Sequence, residues 1–212
     1  MTNPHLLVNR LITGLSMSRD EFLRAWDDTP ELKNAELIEG IVYVPSPVGS
    51  THAEFDFIIH HWLAAYCDHD RRYRGGANAT WLMLESAPQP DSHLRLLPEF
   101  GGHSKEHQGR FTGAPELAVE ICETSREVDF GPKLALYQRA GVREYITVET
   151  LLPRVQWRVL DNGSYRTLDP DNQGILRSEF FPGLWLDTKA LLTRDSAALI
   201  ACLQSGIAST TR

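Results

Sequence analysis

Two carboxylates stand where they could bind a metal ion. Glu120 is the only charged residue in the apolar run from Leu117 to Cys122, which has the composition of a buried strand. Asp91 follows a proline at the start of another strand-like segment. Two such strands side by side can direct both carboxylates at one hard cation, and Mg²⁺ prefers oxygen ligands of this kind. The pattern indicates a metal site between neighbouring strands.

Each carboxylate also has a purely structural interpretation. Glu120 could lie on the solvated face of a half-exposed strand, although Ala118 and Cys122, which share its face, favour burial. The Pro90-Asp91 pair is by itself a turn signal. The sequence leaves both interpretations open.

A lysine follows at the start of a predicted helix. Lys133 comes directly after Pro132, so its ammonium group faces the positive end of the helix dipole, which is unfavourable unless an anion is close. Tyr137 lies one turn further along the same face. An ordinary solvated lysine is the alternative. Glu36 and Glu39, in a predicted hairpin, can equally be ordinary surface residues.

The elements that must position these residues are predicted from capping signals, periodicity and turns. Capping boxes at 18–21 and 51–54 predict a short and a long helix, and Glu39-Gly40 predicts a hairpin within 35–44. The β-α-β order between 116 and 148 predicts a helix that crosses over a sheet. The other predictions are strands near 72–75 and at 80–84, a loop at 98–113, a strand at 116–122, a helix at 128–140, a strand at 144–148, a hairpin at 154–168 and a helix at 188–203.

Composition and charge restrict the class of protein. Of the 212 residues, 42% are hydrophobic, which can offset the entropy of ordering and excludes disorder as the main state. The chain has 21 basic and 28 acidic residues and a net charge of −7. This balance argues against a protein that coats nucleic acid through bulk positive charge, so any site for a polyanion must be a local patch.

Cysteine usage and apolar segments predict the compartment. Cys67, Cys122 and Cys202 are far apart and form no Cys-x-x-Cys pair, so neither a disulfide framework nor a thiolate zinc site is expected. The N-terminus lacks the apolar core of a signal peptide, and no segment approaches the ~18 apolar residues that a membrane span needs. We expect a cytoplasmic protein that does not associate with a membrane.

Familiar catalytic motifs are absent or out of context. His103 to His107 fits the H-x-x-E-H pattern of zinc proteases, but its glycine-rich surroundings argue against the well-formed helix that this chemistry needs. The patterns G-x-x-x-x-G-K-[ST], G-x-G-x-x-G and G-x-S-x-G do not occur. These absences remove the usual grounds for predicting an NTPase, a dehydrogenase or an α/β-hydrolase.

An ordered series of short motifs runs through about residues 20–160. Its members are Ala35-Glu36-Leu37-Ile38-Glu39-Gly40, Ser46-Pro47, His52, Pro90-Asp91, the strand from Leu117 to Glu120, Asp129, Lys133, Tyr137 and Gly141-Val142-Arg143-Glu144-Tyr145. The series resembles the Uma-two family of endonucleases, which is similar to the restriction-endonuclease-like PD-(D/E)XK nuclease superfamily.

The resemblance implies an architecture. The fold class would be α/β (α+β), a restriction-endonuclease-like mixed β-sheet flanked by helices. It would form one nuclease-like domain over 1–212, with a core at about 20–160 and a C-terminal hairpin and helix at 154–205.

The resemblance also implies a magnesium-dependent phosphodiesterase site. Asp91 would match the motif aspartate, and Glu120 would match the second metal-binding carboxylate. Glu36 would be the supporting acid from the N-terminal part, and His52 would be a neighbour of the site.

The chain departs from the superfamily pattern next to the strand glutamate. The pattern expects lysine two residues after Glu120, where this chain has Cys122. The family places that lysine on the following helix, where Lys133 stands. Glu123 occupies a position where the family tends to have a small polar residue. These departures bear on catalysis more than on the fold.

The leading hypothesis is an endonuclease that uses Mg²⁺ or Mn²⁺ to hydrolyse DNA phosphodiester bonds. Asp91 and Glu120 would hold the metal, and Lys133 would stabilise negative charge on the transferring phosphate. Glu36 would complete the site. Because the chain is acidic, a local basic patch must meet the phosphates. The candidates for that patch are Arg71, Arg72, Arg74, Lys105, Arg110 and Arg126.

Two other functions stay open from the sequence. A non-catalytic interaction module could keep the nuclease-like fold, for example as a homodimer. A glycosidase with paired carboxylates is disfavoured, because the spacing of aromatic residues shows no cleft.

Overall fold

The computed structural model of the protein describes residues 11–210. Its helices are α1 (Arg19–Asp27), α2 (Ser50–His69), α3 (Arg126–Asp129), α4 (Pro132–Ala140), α5 (Thr188–Leu192) and α6 (Ser196–Thr210). Its strands are β1 (Glu36–Ile38), β2 (Ile41–Tyr43), β3 (Tyr73–Ala77), β4 (Trp81–Leu82), β5 (Ser92–Leu96), β6 (Lys105–His107), β7 (Arg110–Thr112), β8 (Leu117–Cys122), β9 (Glu144–Glu149), β10 (Arg154–Asp161), β11 (Ser164–Thr167), β12 (Ile175–Arg177) and β13 (Trp185–Asp187). Within this part of the chain, none of the helices combines the length and the apolar character needed to cross a membrane.

A six-stranded mixed sheet forms the centre of the fold, in the order β11-β10-β9-β8-β5-β3. The parallel pair is β8 and β9, and the other neighbours are antiparallel. Parallel neighbours need a crossover connection, which α3 and α4 supply. This is the mixed sheet flanked by helices that the resemblance implied, and the predicted crossover is confirmed.

Alternation along β8 gives the central sheet two different faces. Leu117, Val119 and Ile121 contribute to the larger apolar core, which α2 and α6 cover. Glu120 and Cys122 alternate with them and face the other side, where α3, α4 and the β1–β2 hairpin lie. All six residues of β8 are buried, so the half-solvated interpretation of Glu120 is wrong.

Strand register brings the polar residues of this second face into rows. Glu120 pairs with Thr147 of β9, which in turn pairs with Gln156 of β10. On the other side, the antiparallel register of β5 and β8 places Asp91, the residue before β5, opposite Glu120. The two carboxylates singled out in the sequence therefore end up on neighbouring strands.

Two local predictions are confirmed by the backbone. The predicted hairpin forms from β1 and β2, and its turn residues Glu39 and Gly40 have φ of 52° and 79°, as a tight hairpin turn requires. At the start of α1, Ser18 and Glu21 form the predicted capping box. This box satisfies two N-terminal backbone N–H groups.

Other element predictions are wrong in detail. The long helix α2 has Gly49 as its N-cap, with no side-chain cap, so the box predicted at 51–54 does not form. The helix predicted at 128–140 is divided before Pro132, because proline has no N–H and starts a new helix more readily than it continues one. The helix predicted at 188–203 is also two helices, α5 and α6.

The segment predicted to be a loop, 98–113, contains the small hairpin of β6 and β7. Its turn lies at Gln108-Gly109, where both φ values are positive. The strands are short and at most half-buried, so they lack the apolar alternation that reveals a strand in a sequence. The H-x-x-E-H pattern is therefore part of a hairpin, and its histidines share no helix face.

Candidate active site

A pocket of about 370 Å³ opens on the second face of the sheet. Its wall is formed by β1, the start of β5, β8 with the loop after it, the α3–α4 segment and the N-terminus of α2. The carboxylates that line it are Glu36, Asp91, Glu120, Glu123 and Asp129, and the basic residues are His52 and Lys133. All four residues predicted to be catalytic line this one pocket, although the structure by itself does not test their roles.

Lys133 is at the centre of the acidic residues and is buried. Its Nζ lies 2.9 Å from Glu36 Oε1, 3.0 Å from Glu120 Oε1 and 3.6 Å from Asp129 Oδ1. Asp129 ends α3 four residues before Lys133, so the break between α3 and α4 brings them together. The interpretation of Lys133 as an ordinary solvated lysine is wrong, since three anions offset its unfavourable place at a helix N-terminus.

The carboxylates outnumber the cation that they surround. Burial raises the pKa of Glu120 well above its usual range; Lys133 opposes this shift, and nearby carboxylates add to it. Burial also raises the pKa of Glu36. For Lys133, burial alone would lower the pKa, but Glu120, Glu36 and Asp129 raise it well above its usual value. One ammonium group thus leaves the cluster with capacity for further positive charge.

Hydrogen bonds fix the orientation of the two glutamates beside Lys133. The Tyr137 hydroxyl donates to Glu120 Oε1 at 2.7 Å, and the Gln89 backbone N–H donates to Glu36 Oε1 at 2.6 Å. The contacts of Glu120 with Tyr137 and Lys133 both engage Oε1, and neither engages Oε2. Tyr137 entered the sequence analysis as part of a motif, and the structure gives it this positioning contact.

Asp91 links the acidic cluster to helix α2. Its Oδ2 accepts the Ile121 backbone N–H at 2.7 Å, which ties the side chain to β8 next to Glu120. Its Oδ1 is 3.5 Å from His52 Nε2, and the same nitrogen is 3.5 Å from Asp56 Oδ2. Burial would lower the pKa of His52, but Asp56 and Asp91 raise it to about 10, so the imidazole is a cation held between two carboxylates.

The ligand atoms of His52, Asp56 and Asp91 lie within 4.8 Å of one another. In the part of the chain that the structure describes, this is the group of residues close enough to hold one metal ion. Glu120, the second predicted metal ligand, is outside this group, and its Oε1 contacts Lys133 and Tyr137 instead.

Sequence reasoning missed Asp56 and named Asp129 only as a member of the motif series, without a role. Asp56 lies four residues after His52 and four before His60, and this i,i+4 spacing on α2 could have indicated it. Asp129 lies four residues before Lys133, but that spacing crosses a helix break. Glu123, noted only as a departure, packs close to Gly49 at the N-terminus of α2, where the helix dipole favours an anion.

The predicted basic patch does not line the pocket; none of its six candidates is among the described lining residues. Arg72 pairs with Asp70 and Arg110 with Asp27, which reduces the charge that each offers to a ligand. Arg126 is also paired, with Glu149, but it follows Ser125, which lines the pocket, and so lies at the edge of the site.

Comparisons with known proteins agree on a nuclease-like fold. The family model described as "Uma2: Putative restriction endonuclease" matches residues 19–189. A crystal structure described as a putative nuclease belonging to DUF820, from Anabaena variabilis, has a TM-score of 0.65 and 18% sequence identity; the match covers 84% of this chain and 98% of that one. At this identity the likeness concerns the fold alone. Among curated proteins, no match was found.

Proposed function

The chain belongs to the Uma2 family, described as "putative restriction endonuclease", and on this premise we propose that it is a metal-dependent endonuclease that hydrolyses DNA phosphodiester bonds. The observation that carries the proposal is the pocket in which Glu36, Glu120 and Asp129 surround Lys133 and a fourth carboxylate, Asp91, lies on the neighbouring strand position. A phosphodiester is an anion, so a pocket with this charge can accept it only if more cations are present.

The residues present fit a divalent cation. Carboxylate oxygens are the ligands that Mg²⁺ and Mn²⁺ prefer, and the His52 imidazole could join them only if a bound metal displaced its proton. Asp56 Oδ1 and Asp129 Oδ1 are buried and accept no hydrogen bond from the described residues; the nearest basic nitrogens are His60 Nε2 at 3.9 Å and Lys133 Nζ at 3.6 Å. Buried oxygens of this kind are expected to have a partner, and a metal ion can supply one.

We assign Asp91 and Glu120 as metal-binding carboxylates, with His52 and Asp56 next to Asp91. A divalent cation bound there would polarise a phosphoryl oxygen and lower the pKa of water. Among the protein's own groups, Lys133 would stabilise the negative charge that develops on the phosphate and would orient the attacking water. Glu36 would hold Lys133 in place, and Tyr137 would fix the Glu120 carboxylate.

A cleavage assay with the full chain tests the proposal. We expect cleavage of single- or double-stranded DNA in Mg²⁺ or Mn²⁺, none in EDTA, and a loss of roughly 10²-fold or more in Asp91→Asn. Asp68→Asn, an exposed aspartate at the other end of α2, is the matched control and should cleave normally. RNA substrates in the same assay establish the class of nucleic acid.

Metal binding gives a second readout that does not depend on the substrate. At a free Mn²⁺ concentration about 100 times its Kd, linkage predicts a stabilisation of about 2.7 kcal/mol for the wild type, and Asp91→Asn should lose most of it. If Mn²⁺ stabilises neither protein and no substrate is cleaved, the nuclease proposal is wrong. A non-catalytic interaction module then becomes the better interpretation.

A further inference from the structure

Two arginines share one buried carboxylate at the edge of the acidic pocket. Glu149 Oε2 lies 2.6 Å from Arg126 Nε, and Glu149 Oε1 lies 2.8 Å from Arg154 Nη2 and 2.9 Å from its Nε. The Glu149 side chain is 4% exposed, whereas those of Arg126 and Arg154 are 54% and 53% exposed. The carboxylate holds the two guanidinium groups together, and both still reach solvent.

Strand register places this pair on the same face of the sheet as Glu120. Glu149 is paired with Cys122 of β8 on one side and with Arg154 of β10 on the other, and Cys122 comes two residues after Glu120. Because neighbouring strands lie about 4.8 Å apart, Arg154 and Glu120 are on the order of 10 Å from each other. Arg126 approaches from α3, directly after a residue that lines the pocket.

The positive charge here exceeds what the local structure requires. One arginine would satisfy Glu149, and the second adds a positive charge. Arg158, on the same face of β10, adds a third from a buried position; its guanidinium lies 5.0 Å from the Phe130 ring centroid, donates to Thr147 Oγ1 and forms no ion pair with a described carboxylate. Even with the exposed Glu127 counted against them, the three arginines leave an excess of positive charge at this edge.

Resting on the nuclease function proposed above, we propose that Arg126 and Arg154 bind backbone phosphates of the nucleic-acid strand whose scissile bond lies in the acidic pocket. Guanidinium groups match phosphate oxygens with paired N–H donors, and the bonds to Glu149 fix both groups before a ligand arrives, which lowers the entropy lost on binding. Because the pocket itself repels phosphates, the strand needs cations within a few nucleotides of the cleaved bond.

Salt-dependent binding of labelled oligonucleotides to the full chain tests this proposal. The measurement is fluorescence anisotropy in EDTA, where cleavage does not occur, at salt from about 50 to 200 mM. A phosphate contact contributes about 0.9 to the slope of log K against log salt for duplex and about 0.7 for single strands. We expect Arg126→Gln to lower the slope by about this amount and weaken binding by roughly five- to tenfold near 0.1 M salt.

Two matched variants serve as controls. Arg166, on edge strand β11, is about as exposed as Arg126 and is likewise paired with a glutamate, Glu179. Arg166→Gln should leave the slope unchanged. Arg126→Lys keeps the charge, so it should retain most of the slope. Thermal melting of each variant identifies any that fail to fold, and in that case Arg154→Gln provides the same comparison. Inorganic phosphate is added as a competitor, to test whether Arg126 and Arg154 bind free phosphate or prefer the phosphates of a nucleic-acid strand.

Equal slopes in the wild type and Arg126→Gln overturn the proposal, and so does the absence of oligonucleotide binding by the wild type. Cleavage in Mg²⁺ together with equal slopes would refute only this phosphate site. A slope change without cleavage under any metal would refute only the nuclease function.

Discussion

Each face of the central sheet has a buried glutamate near its middle strands, Glu144 on one face and Glu120 on the other, and these two have opposite surroundings. Glu144 faces the larger apolar core and is surrounded by hydrogen-bond donors. They are the Trp157 indole at 3.0 Å, the Ser178 hydroxyl at 2.8 Å, and the backbone N–H groups of Glu179 at 2.8 Å and Phe180 at 3.0 Å. Glu120, on the other face, is met by Lys133 and Tyr137 but also by other carboxylates.

The difference shows what distinguishes a structural carboxylate from a candidate functional one. Burial raises the pKa of both Glu120 and Glu144, so burial does not separate them. At Glu144 neutral donors from four residues satisfy the carboxylate, and it needs no further ligand. At Glu120 like charges crowd one lysine beside a pocket, an arrangement that costs stability and is typical of sites built for a ligand.

The largest effect is expected when the cation of the acidic face is removed. Lys133→Ala leaves buried carboxylates without their partner, so we expect a loss of about 3–5 kcal/mol in the free energy of unfolding. Cleavage per folded molecule should also fall by ~10²–10³. Urea denaturation with and without Mg²⁺ checks this, and the metal should stabilise the variant more than the wild type. Unchanged turnover in the folded variant would refute the role of Lys133.

A rate effect without a stability effect is expected at Glu120. Glu120→Gln keeps the shape but removes one negative charge from the excess, so the free energy of unfolding should stay within about 1 kcal/mol or increase. The value of kcat/KM for DNA should fall by at least about 10², because a metal-binding carboxylate is lost. If Glu120→Gln cleaves DNA normally but has a much lower free energy of unfolding, Glu120 is a structural carboxylate and the contrast with Glu144 is wrong.

The opposite result is expected at Glu144. In Glu144→Gln the amide places N–H groups against donors, which should cost about 2–3 kcal/mol and lower Tm by roughly 4–12 °C. Cleavage per folded molecule should not change. Glu116→Gln is a milder control, because that buried carboxylate accepts the Leu96 N–H at 2.7 Å and an amide oxygen can replace it. Lower kcat/KM in folded Glu144→Gln would mean that both faces contribute to function.

Local patterns were enough to predict which residues approach the pocket. Alternation within β8 separates Glu120 from its apolar neighbours, and Pro132 indicates that a helix starts at Lys133. The family resemblance supplied the connection to Glu36 and Asp91, which are distant in sequence. The burial of Glu120 and the helix start at Pro132 could be predicted because each depends on position within a single strand or helix turn, whereas the roles of the four residues stay predictions.

Contacts between elements could not be predicted in the same way. The approach of Asp56 to Asp91 depends on how α2 packs against the end of β5, and no spacing in the sequence encodes that packing. The pairing of Arg126 and Arg154 through Glu149 likewise requires the register of β9 with β10 and the position of α3. The hairpin at 105–112 was missed because its strands are short and polar, so tertiary contacts rather than periodicity define it.

The position of Lys133 on the crossover helix also affects how the chain folds. In the superfamily pattern the lysine stands two residues after the strand glutamate, so the two are synthesised together. Here Lys133 is synthesised later than Glu120, as part of α4. Contacts between distant segments form late because closing long loops costs entropy. A nascent chain that ends at β8 carries Glu36, Asp91 and Glu120 without this counterion, so the acidic face should become stable only after α4 has been synthesised.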